Sequence, residues 1–193
     1  MNAQEIISFI ANAPKKTPVK LYFRASGEPD FENLRHFGSV IFGELSEVKA
    51  WLEEKIDQAI ADGYTTFISG CAMGVDLWAA QIVQRKKETN PSLRLIAATP
   101  WPGFGARWKD GWREQYFDLL KTADLTVNVC DHYHQGVFQM RNEWMVDHSN
   151  RVIAYYNGTP GGTRNTIEYA EKKMIEVVLL QEQAEKSTEK ADP

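Results

Sequence analysis

Short apolar runs alternate along the chain with longer segments in which apolar residues recur every three or four positions. The run 65–68 is β-branched and apolar, which is typical of a buried strand, whereas 45–60 carries an apolar stripe of helical period that Gly63 closes. The predicted strands are 19–23, 65–68, 93–98, 125–129, 152–156 and 176–180, and the predicted helices are 45–60, 75–87, 113–122, 138–149 and 164–174. This alternation predicts an α/β fold: a doubly wound, mostly parallel sheet with helices on both faces.

These elements form one predicted domain over residues 1–180. The domain includes an amphipathic helix at 3–13, which Pro14 should end. The stretch Arg24–Gly43 is irregular and carries several glycine and proline breakers, so we expect a long loop that is functional or mobile. Residues 181–193 are charged and lack periodic apolar positions, which predicts a disordered tail.

Composition and charge mainly argue against certain classes of binding surface and site. The 193 residues carry 22 Lys and Arg against 26 Asp and Glu, a net charge of −4, which argues against a surface that neutralises many nucleic-acid phosphates. Cys71 and Cys130 lack metal-ligand spacing and His132 and His134 have no third ligand nearby, so we expect neither a metal nor another cofactor. With no basic leader and no stretch of membrane-spanning length, we expect a cytoplasmic protein without membrane contact. A homo-oligomer is compatible with the sequence.

The octapeptide Ser69–Asp76, Ser-Gly-Cys-Ala-Met-Gly-Val-Asp, joins a predicted strand to a predicted helix. Glycines let a backbone approach a ligand closely, and the N–H groups and dipole of a helix start favour an anion. We therefore expect a phosphate-bearing ligand here, and the alternative is a tight connection that binds nothing. Asp76 lies in the first helical turn, where the dipole alone favours a carboxylate; otherwise it hydrogen-bonds a ribose hydroxyl or the facing loop.

An arginine on the helix after the fourth predicted strand is the second candidate. One helix face, at spacings i, i+3, i+4, i+7 and i+11, carries Phe138, Arg141, Asn142, Met145 and Ser149. Because this helix follows a strand, its start lies at the ligand edge of the sheet. An inward arginine there is costly unless an anion meets it, so we expect Arg141 to contact either a ligand phosphate or a buried acid such as Asp147 or Asp131.

A second glycine turn, Thr159–Thr163, also joins a strand to a helix and contains Gly161 and Gly162. Thr163 is predicted to be the N-cap of that helix, and the alternative is that its hydroxyl serves a ligand oxygen. Two glycine turns and an inward arginine at one sheet edge together suit an anionic, nucleotide-like ligand.

The loop 103–111 mixes aromatic and basic residues and follows the third predicted strand. Trp108 and Arg107 are interpreted either as a lid that stacks on a base, or as a core tryptophan beside a solvated arginine. Both interpretations place the loop at the same sheet edge as the glycine turns.

The glycine loop resembles the SGGAxGVD-type loop of the SLOG superfamily, the Smf/DprA-like and LOG-like Rossmannoid proteins, and most closely that of the YpsA-like branch. Supporting motifs are Asp76–Ala80, Thr99-Pro100 with Trp108 downstream, Ala123-Asp124, Arg141-Asn142 with Met145–Asp147, and Gly161–Thr163. The similarity runs from about Lys20 to Leu180. It implies a Rossmann-like fold and a nucleotide or nucleotide-derived ligand at the glycine loops. One departure is Phe23–Pro29, where branch members carry a Thr-Gly-His/Tyr-Arg-Pro-like turn, so the first-loop contact of Arg24 is in doubt.

The resemblance implies a binding site and leaves the reaction open. The candidate ligand-binding residues are Ser69, Gly70, Ala72, Gly74, Asp76, Arg141, Asn142, Gly161, Gly162 and Thr163. An alternative function is that of LOG-type phosphoribohydrolases, which cleave the ribose–base bond of nucleoside monophosphates with an arginine and a glutamate in a PGGxGTxxE motif. Arg141 matches the arginine, and Glu168 is the glutamate if the count starts at Pro160.

In a second register of that motif, a residue without a carboxyl group occupies the glutamate position. Aligning Gly162-Thr163 on the Gly-Thr of the motif puts Thr166 at the glutamate position, and we favour this register because it keeps the glycine turn at the helix start. A further alternative is a DNA-processing or protein-interaction module. The absence of a basic stripe argues against direct binding of single-stranded DNA.

Overall fold

A computed structural model of the protein describes residues 19–21, 40–109, 111–156 and 160–181. The strands are β1 (Val19–Leu21), β2 (Thr66–Ser69), β3 (Arg94–Thr99), β4 (Leu125–Asn128), β5 (Arg151–Tyr156) and β6 (Glu176–Gln181). The described helices are α1 (Val40–Ala61), α2 (Val75–Thr89), α3 (Trp112–Thr122), α4 (Val137–Asp147) and α5 (Gly162–Lys172). The predicted helix 3–13, most of the predicted loop 24–43 and the predicted tail beyond Gln181 lie outside the described residues.

The six strands form one sheet in the order β4-β3-β2-β1-β5-β6, and every pair of neighbours is parallel. In the centre, Phe67 lies opposite Leu95 and Ile68 opposite Ile96. The strand order runs outward from β1 to β4 and then returns to the other side of β1 with β5. Such a reversal is the hallmark of a doubly wound sheet, which confirms the predicted fold class.

Successive residues of each strand face opposite sides of the sheet and build two cores. Phe67 packs with α1, α2 and α3 in the first core, whereas its neighbour Ile68 packs with α4 and α5 in the second. Both residues are fully buried. The helices therefore cover both faces, and the loops that follow the strands gather at the carboxyl edge.

The helix α1 begins earlier than its sequence pattern predicts. It starts at Val40 rather than near Leu45 and runs through Gly43, which the sequence suggests as a breaker. A glycine inside a helix costs only about 1 kcal/mol relative to alanine, and a helix of 22 residues tolerates that cost. Its end before Gly63, which has φ +91°, agrees with the prediction. Among the described helices, none is long and apolar enough to cross a membrane.

Candidate functional site

The octapeptide Ser69–Asp76 lies at the carboxyl edge, between the end of β2 and the start of α2. The Ser69 hydroxyl donates to the Asp76 backbone carbonyl at 3.1 Å and accepts from the Cys71 N–H at 3.1 Å. The Asp76 Oδ2 accepts from the Ala72 N–H at 2.9 Å. The loop is thus closed on itself by two side chains that the sequence nominates for ligand contact. Ala72 belongs to the same loop as Asp76, so this bond is neither of the contacts expected of Asp76, the one to a ribose hydroxyl or the one to the facing loop.

The two glycines of the loop are required for different reasons. Gly74 is the N-cap of α2 and has φ +84°, a conformation that disfavours other residues, while a Cβ there would meet nothing within 4 Å. Gly70 has the opposite constraint, since a Cβ would lie 2.7 Å from the Asp76 Oδ2 and 2.8 Å from the Arg141 Nη1. A carboxylate and a guanidinium therefore close over Gly70 from two elements.

Arg141 reaches this loop from α4. Its side chain points inward as predicted and is only 2% exposed. The Nη1 donates to the Gly70 carbonyl, and the Nε donates to the Asn142 Oδ1 at 3.0 Å. Because α4 follows β4 and Gly70 follows β2, the contact runs along the carboxyl edge past the end of β3.

The acids that sequence reasoning offered as partners of Arg141 lie elsewhere. Asp147 is exposed at the other end of α4, where it pairs with Lys173 at 2.9 Å. Asp131 is also exposed. The acid near Arg141 is Asp76, which local helical spacing does not reveal because it comes from a different strand–helix unit.

Burial keeps the uncharged groups of the site neutral. Cys71 is fully buried, in the left-handed conformation with φ +59°, and burial, reinforced by the charge of Asp76, raises the pKa of its thiol to about 12. Burial, reinforced by Cys71, also raises the pKa of Tyr116 to about 12. A neutral thiol is a poor nucleophile, which disfavours a nucleophilic role for Cys71.

The second glycine turn differs from its prediction in one respect. The N-cap of α5 is Gly161, and the helix begins at Gly162. The prediction of Thr163 as N-cap is therefore wrong: it lies inside the first turn and is fully buried. Glycine is itself an acceptable N-cap, so the helix can begin before its first hydroxyl-bearing residue.

The two registers of the hydrolase motif end in different environments. Thr166 is 1% exposed, and its hydroxyl donates to the Gly162 carbonyl at 2.8 Å. Glu168 is exposed and pairs with Arg164 at 2.8 Å. The buried face of α5 thus presents a hydroxyl, and the glutamate lies on the solvent side.

The loop after β3 packs in the manner of the core interpretation. Trp108 is half-buried and meets Phe104 and Tyr116 edge to face, with ring centroids 4.9 and 5.2 Å apart, while Arg107 is exposed. Trp101 meets the ring of Phe104, and it also meets the rings of Tyr133 and Phe138. None of these three residues is among the candidate binding residues predicted from the sequence. All three follow β3 or β4, which is the signal that could have found them.

The rings of His132 and His134 lie 5.9 Å apart in the loop after β4. Within the described parts of the chain, no group of three or more His, Cys, Asp or Glu side chains is arranged to hold a metal ion.

Solved structures with a similar fold are DNA-processing proteins. The chain superposes on DNA processing protein A from Helicobacter pylori, whose structure describes a single-stranded DNA binding mode, with a TM-score of 0.54 and 16% identity over 88% of this chain and 68% of that chain. It also superposes on DNA processing protein A from Streptococcus pneumoniae, with a TM-score of 0.51 and 15% identity over 88% of this chain and 52% of that chain. At this identity the likeness shows the fold alone.

Proteins related in sequence share a higher identity with this chain than the two superposed structures do. A UPF0398 protein of Halalkalibacterium halodurans is 30% identical over 132 residues, which are 67% of this chain and 70% of the relative. The uncharacterized SPbeta prophage-derived protein YoqJ of Bacillus subtilis is 36% identical over 121 residues, which are 56% of this chain and 71% of the relative.

Two family models match the chain. A model of the N-terminal region of tetrahydrodipicolinate succinyltransferase matches residues 1–64, about a third of the chain. The model of the YspA SLOG family matches residues 42–184, which include both glycine turns and Arg141. The chain therefore belongs to the YspA SLOG family, which confirms the resemblance to the YpsA-like branch.

Proposed function

We propose that the loop Ser69–Asp76, together with Arg141, binds a nucleotide or a nucleotide-derived ligand that carries phosphate and ribose. The observation that carries this proposal is the buried guanidinium of Arg141 over Gly70, because both of its hydrogen-bond acceptors among the described residues are neutral oxygens. A buried cation is stabilised by an anion, and among the described residues the carboxylate beside it is that of Asp76. A ligand phosphate adds the charge that suits this position.

In this proposal the ligand displaces a contact that the loop makes with itself. The Asp76 carboxylate holds the Ala72 N–H at 2.9 Å, as a phosphate oxygen would. A phosphate that takes this N–H, with the backbone at Gly70 and Gly74, releases Asp76 toward a ribose hydroxyl. Phosphate binding and sugar recognition are thereby coupled in one loop.

The remaining proposed contacts come from neighbouring elements. Asn142 hydrogen-bonds the Arg141 Nε and is an alternative partner for the sugar. The hydroxyls of Ser69 and Thr163 and the second turn at Gly161-Gly162 complete the proposed site. Glycine N-caps without a side-chain cap open both α2 and α5, an arrangement that suits anionic groups at helix starts.

The proposed ligand is a free nucleotide rather than a polymer. The net charge of −4 disfavours a phosphate backbone, although the structural neighbour from Helicobacter pylori binds single-stranded DNA. A soluble nucleotide ligand and two cysteine thiols suit a cytoplasmic location, and no membrane contact is proposed.

Titration calorimetry tests this function. Wild-type protein is titrated with nucleoside monophosphates, ADP-ribose and a single-stranded oligonucleotide, and the same titrations are repeated with Arg141→Lys and Arg151→Lys. The Arg151→Lys variant is the matched control, because it makes the same substitution at the opposite edge of the sheet.

We expect at least one nucleotide to bind the wild type and the Arg151→Lys variant, with roughly tenfold or greater weakening in Arg141→Lys, since lysine lacks the planar fork of donors. Absence of nucleotide binding by the wild type would overturn the proposal. Binding of the oligonucleotide alone, with strong salt dependence, would support the DNA-processing alternative instead.

A further inference from the structure

An aromatic cluster extends from the glycine loop to the protein surface. It consists of Trp101, Phe104, Trp108, Tyr116, Tyr133 and Phe138. Neighbouring rings meet edge to face, with centroids between 4.9 and 6.1 Å apart. At one end Tyr116 is 1% exposed, and at the other Tyr133 is 64% exposed. The cluster is thus continuous from the core to solvent.

The buried end of the aromatic cluster lies beside the proposed phosphate site. Burial raises the pKa of the Tyr116 hydroxyl, ionisation of Cys71 would raise it further, and the charge of Arg141 lowers it, so this hydroxyl lies within electrostatic range of both groups. Phe138 precedes Arg141 by three residues on α4, which is about 4.5 Å along the helix axis. The phosphate-binding arginine and an aromatic ring therefore occupy adjacent turns of one helix.

The exposed end of the aromatic cluster is available to a flat ligand. Tyr133 meets the edge of Trp101 at 5.2 Å, and Trp101 in turn meets Phe138 at 5.5 Å. Trp101 and Phe138 are half-buried, so Trp101 supports Tyr133 directly and Phe138 supports Trp101, while the surface of Tyr133 remains largely exposed.

We propose that the aromatic cluster is a nucleobase subsite, in which the base of the ligand stacks on Tyr133, supported by Trp101 and Phe138, while its phosphate lies at Arg141. This inference rests on the proposed function and specifies its substrate class: nucleotides with an intact base, in preference to sugar phosphates. Stacking tolerates any base because every base has a π-face, so the subsite admits all four common nucleotides.

Calorimetry with matched probes tests the subsite. The four nucleoside 5'-monophosphates are compared with ribose 5-phosphate, which keeps the sugar and phosphate and lacks the base. The variants are Tyr133→Ala, Tyr133→Phe as the control that keeps the ring, and Phe138→Leu as a second variant that alters the support of Tyr133. Because Tyr133 is mostly exposed, its replacement should leave the fold intact, which thermal unfolding checks.

We expect each nucleotide to bind the wild type about five- to a hundredfold more tightly than ribose 5-phosphate, the range of one stacking contact. Tyr133→Ala should remove most of this preference without altering the affinity for ribose 5-phosphate, Phe138→Leu should reduce it, and Tyr133→Phe should retain it. Equal affinity for both probe types, or an unchanged preference in Tyr133→Ala, would overturn the subsite while leaving the proposed phosphate site in place. No binding of any probe would overturn both.

Discussion

Two largely buried arginines mark the two edges of the sheet, and the protein meets their charges differently. At the amino edge, Arg151 opens β5 and contacts two carboxylates, Asp62 at 2.6 Å and Glu176 at 2.7 Å. It also lies over the ring of Tyr64 at 4.7 Å. Burial lowers the pKa of Arg151, but the hydrogen bonds that it donates to Glu176 and Asp62 outweigh this effect, so the net shift of its pKa is upward. The positive charge of Arg151 is therefore compensated by two carboxylates of the chain itself.

At the carboxyl edge, the positive charge of Arg141 is compensated less by its hydrogen-bond acceptors than that of Arg151 is. Among the described residues, Arg141 donates to the Gly70 carbonyl and the Asn142 amide oxygen, and the nearby carboxylate is that of Asp76. Burial alone therefore does not distinguish the two arginines, whereas the charge of their acceptors among the described residues does. An arginine held by neutral oxygens at the ligand edge of a doubly wound sheet is suited to a ligand anion.

Removing each arginine gives the largest expected contrast. Arg141→Met should lower the free energy of unfolding by about 3–5 kcal/mol, because it leaves the buried acceptors of Gly70 and Asn142 without their donor. Arg151→Met should cost about 1 kcal/mol, because water reaches the carboxylates that it leaves behind, whose side chains are 40% and 51% exposed. Urea unfolding measures both values, and equal losses would contradict the contrast.

High pH should destabilise the carboxyl edge. Burial raises the pKa of Cys71 from 9.0 and that of Tyr116 from 10.0, each to about 12. The unfolded chain therefore releases these protons first. Stability is unaffected below about pH 9 and then falls as pH rises, by about 1.4 kcal/mol per pH unit for each group that only the unfolded state has deprotonated.

Urea unfolding between pH 8 and pH 11 measures this decline. Cys71→Ala should make it shallower, because it removes one of the two groups whose pKa is raised by burial. A slope that is the same in the Cys71→Ala variant and the wild type would show that the thiol is not responsible.

Because Asp76 and Arg141 lie close to Gly70, replacing this glycine should have an intermediate effect on stability. Gly70→Ala should cost about 2 kcal/mol, because the new Cβ would lie within 3 Å of both Asp76 and Arg141. Gly111→Ala should cost about 1 kcal/mol, because that site has φ +80° but open space around a Cβ. Thermal and chemical unfolding compare the two variants, and a smaller loss in Gly70→Ala would argue against the packed arrangement of the two charges.

The smallest effect is expected on the exposed face of α5. Glu168→Gln breaks an i, i+4 pair with Arg164 in which both side chains are about half exposed, so the free energy of unfolding should be nearly unchanged. Nucleotide binding should be retained. Incubation with nucleoside monophosphates and detection of the free base test the hydrolase alternative: cleavage by the wild type that is lost in this variant would support Glu168 as its acid.

Local sequence patterns predict much of the architecture. Apolar runs separated by amphipathic segments predict the strands and helices, because burial of an apolar face has a period of 2 in strands and 3.6 in helices. The same periodicity predicts the inward face of α4, on which Arg141, Asn142 and Met145 are all buried. The position of every candidate after a strand predicts their common edge. Among the described elements, the differences are local ones such as the start of α1 and the N-cap of α5.

The sequence by itself determined the fold class, the family and which side chains of α4 face inward, since these depend on periodicity and on contiguous motifs. Only the tertiary structure decided what Arg141 meets, because its contact with Gly70 depends on the strand order β4-β3-β2. The same holds for the aromatic cluster, whose rings come from segments separated along the chain. Contacts that cross a sheet edge arise from the order of the strands, and no local spacing encodes that order.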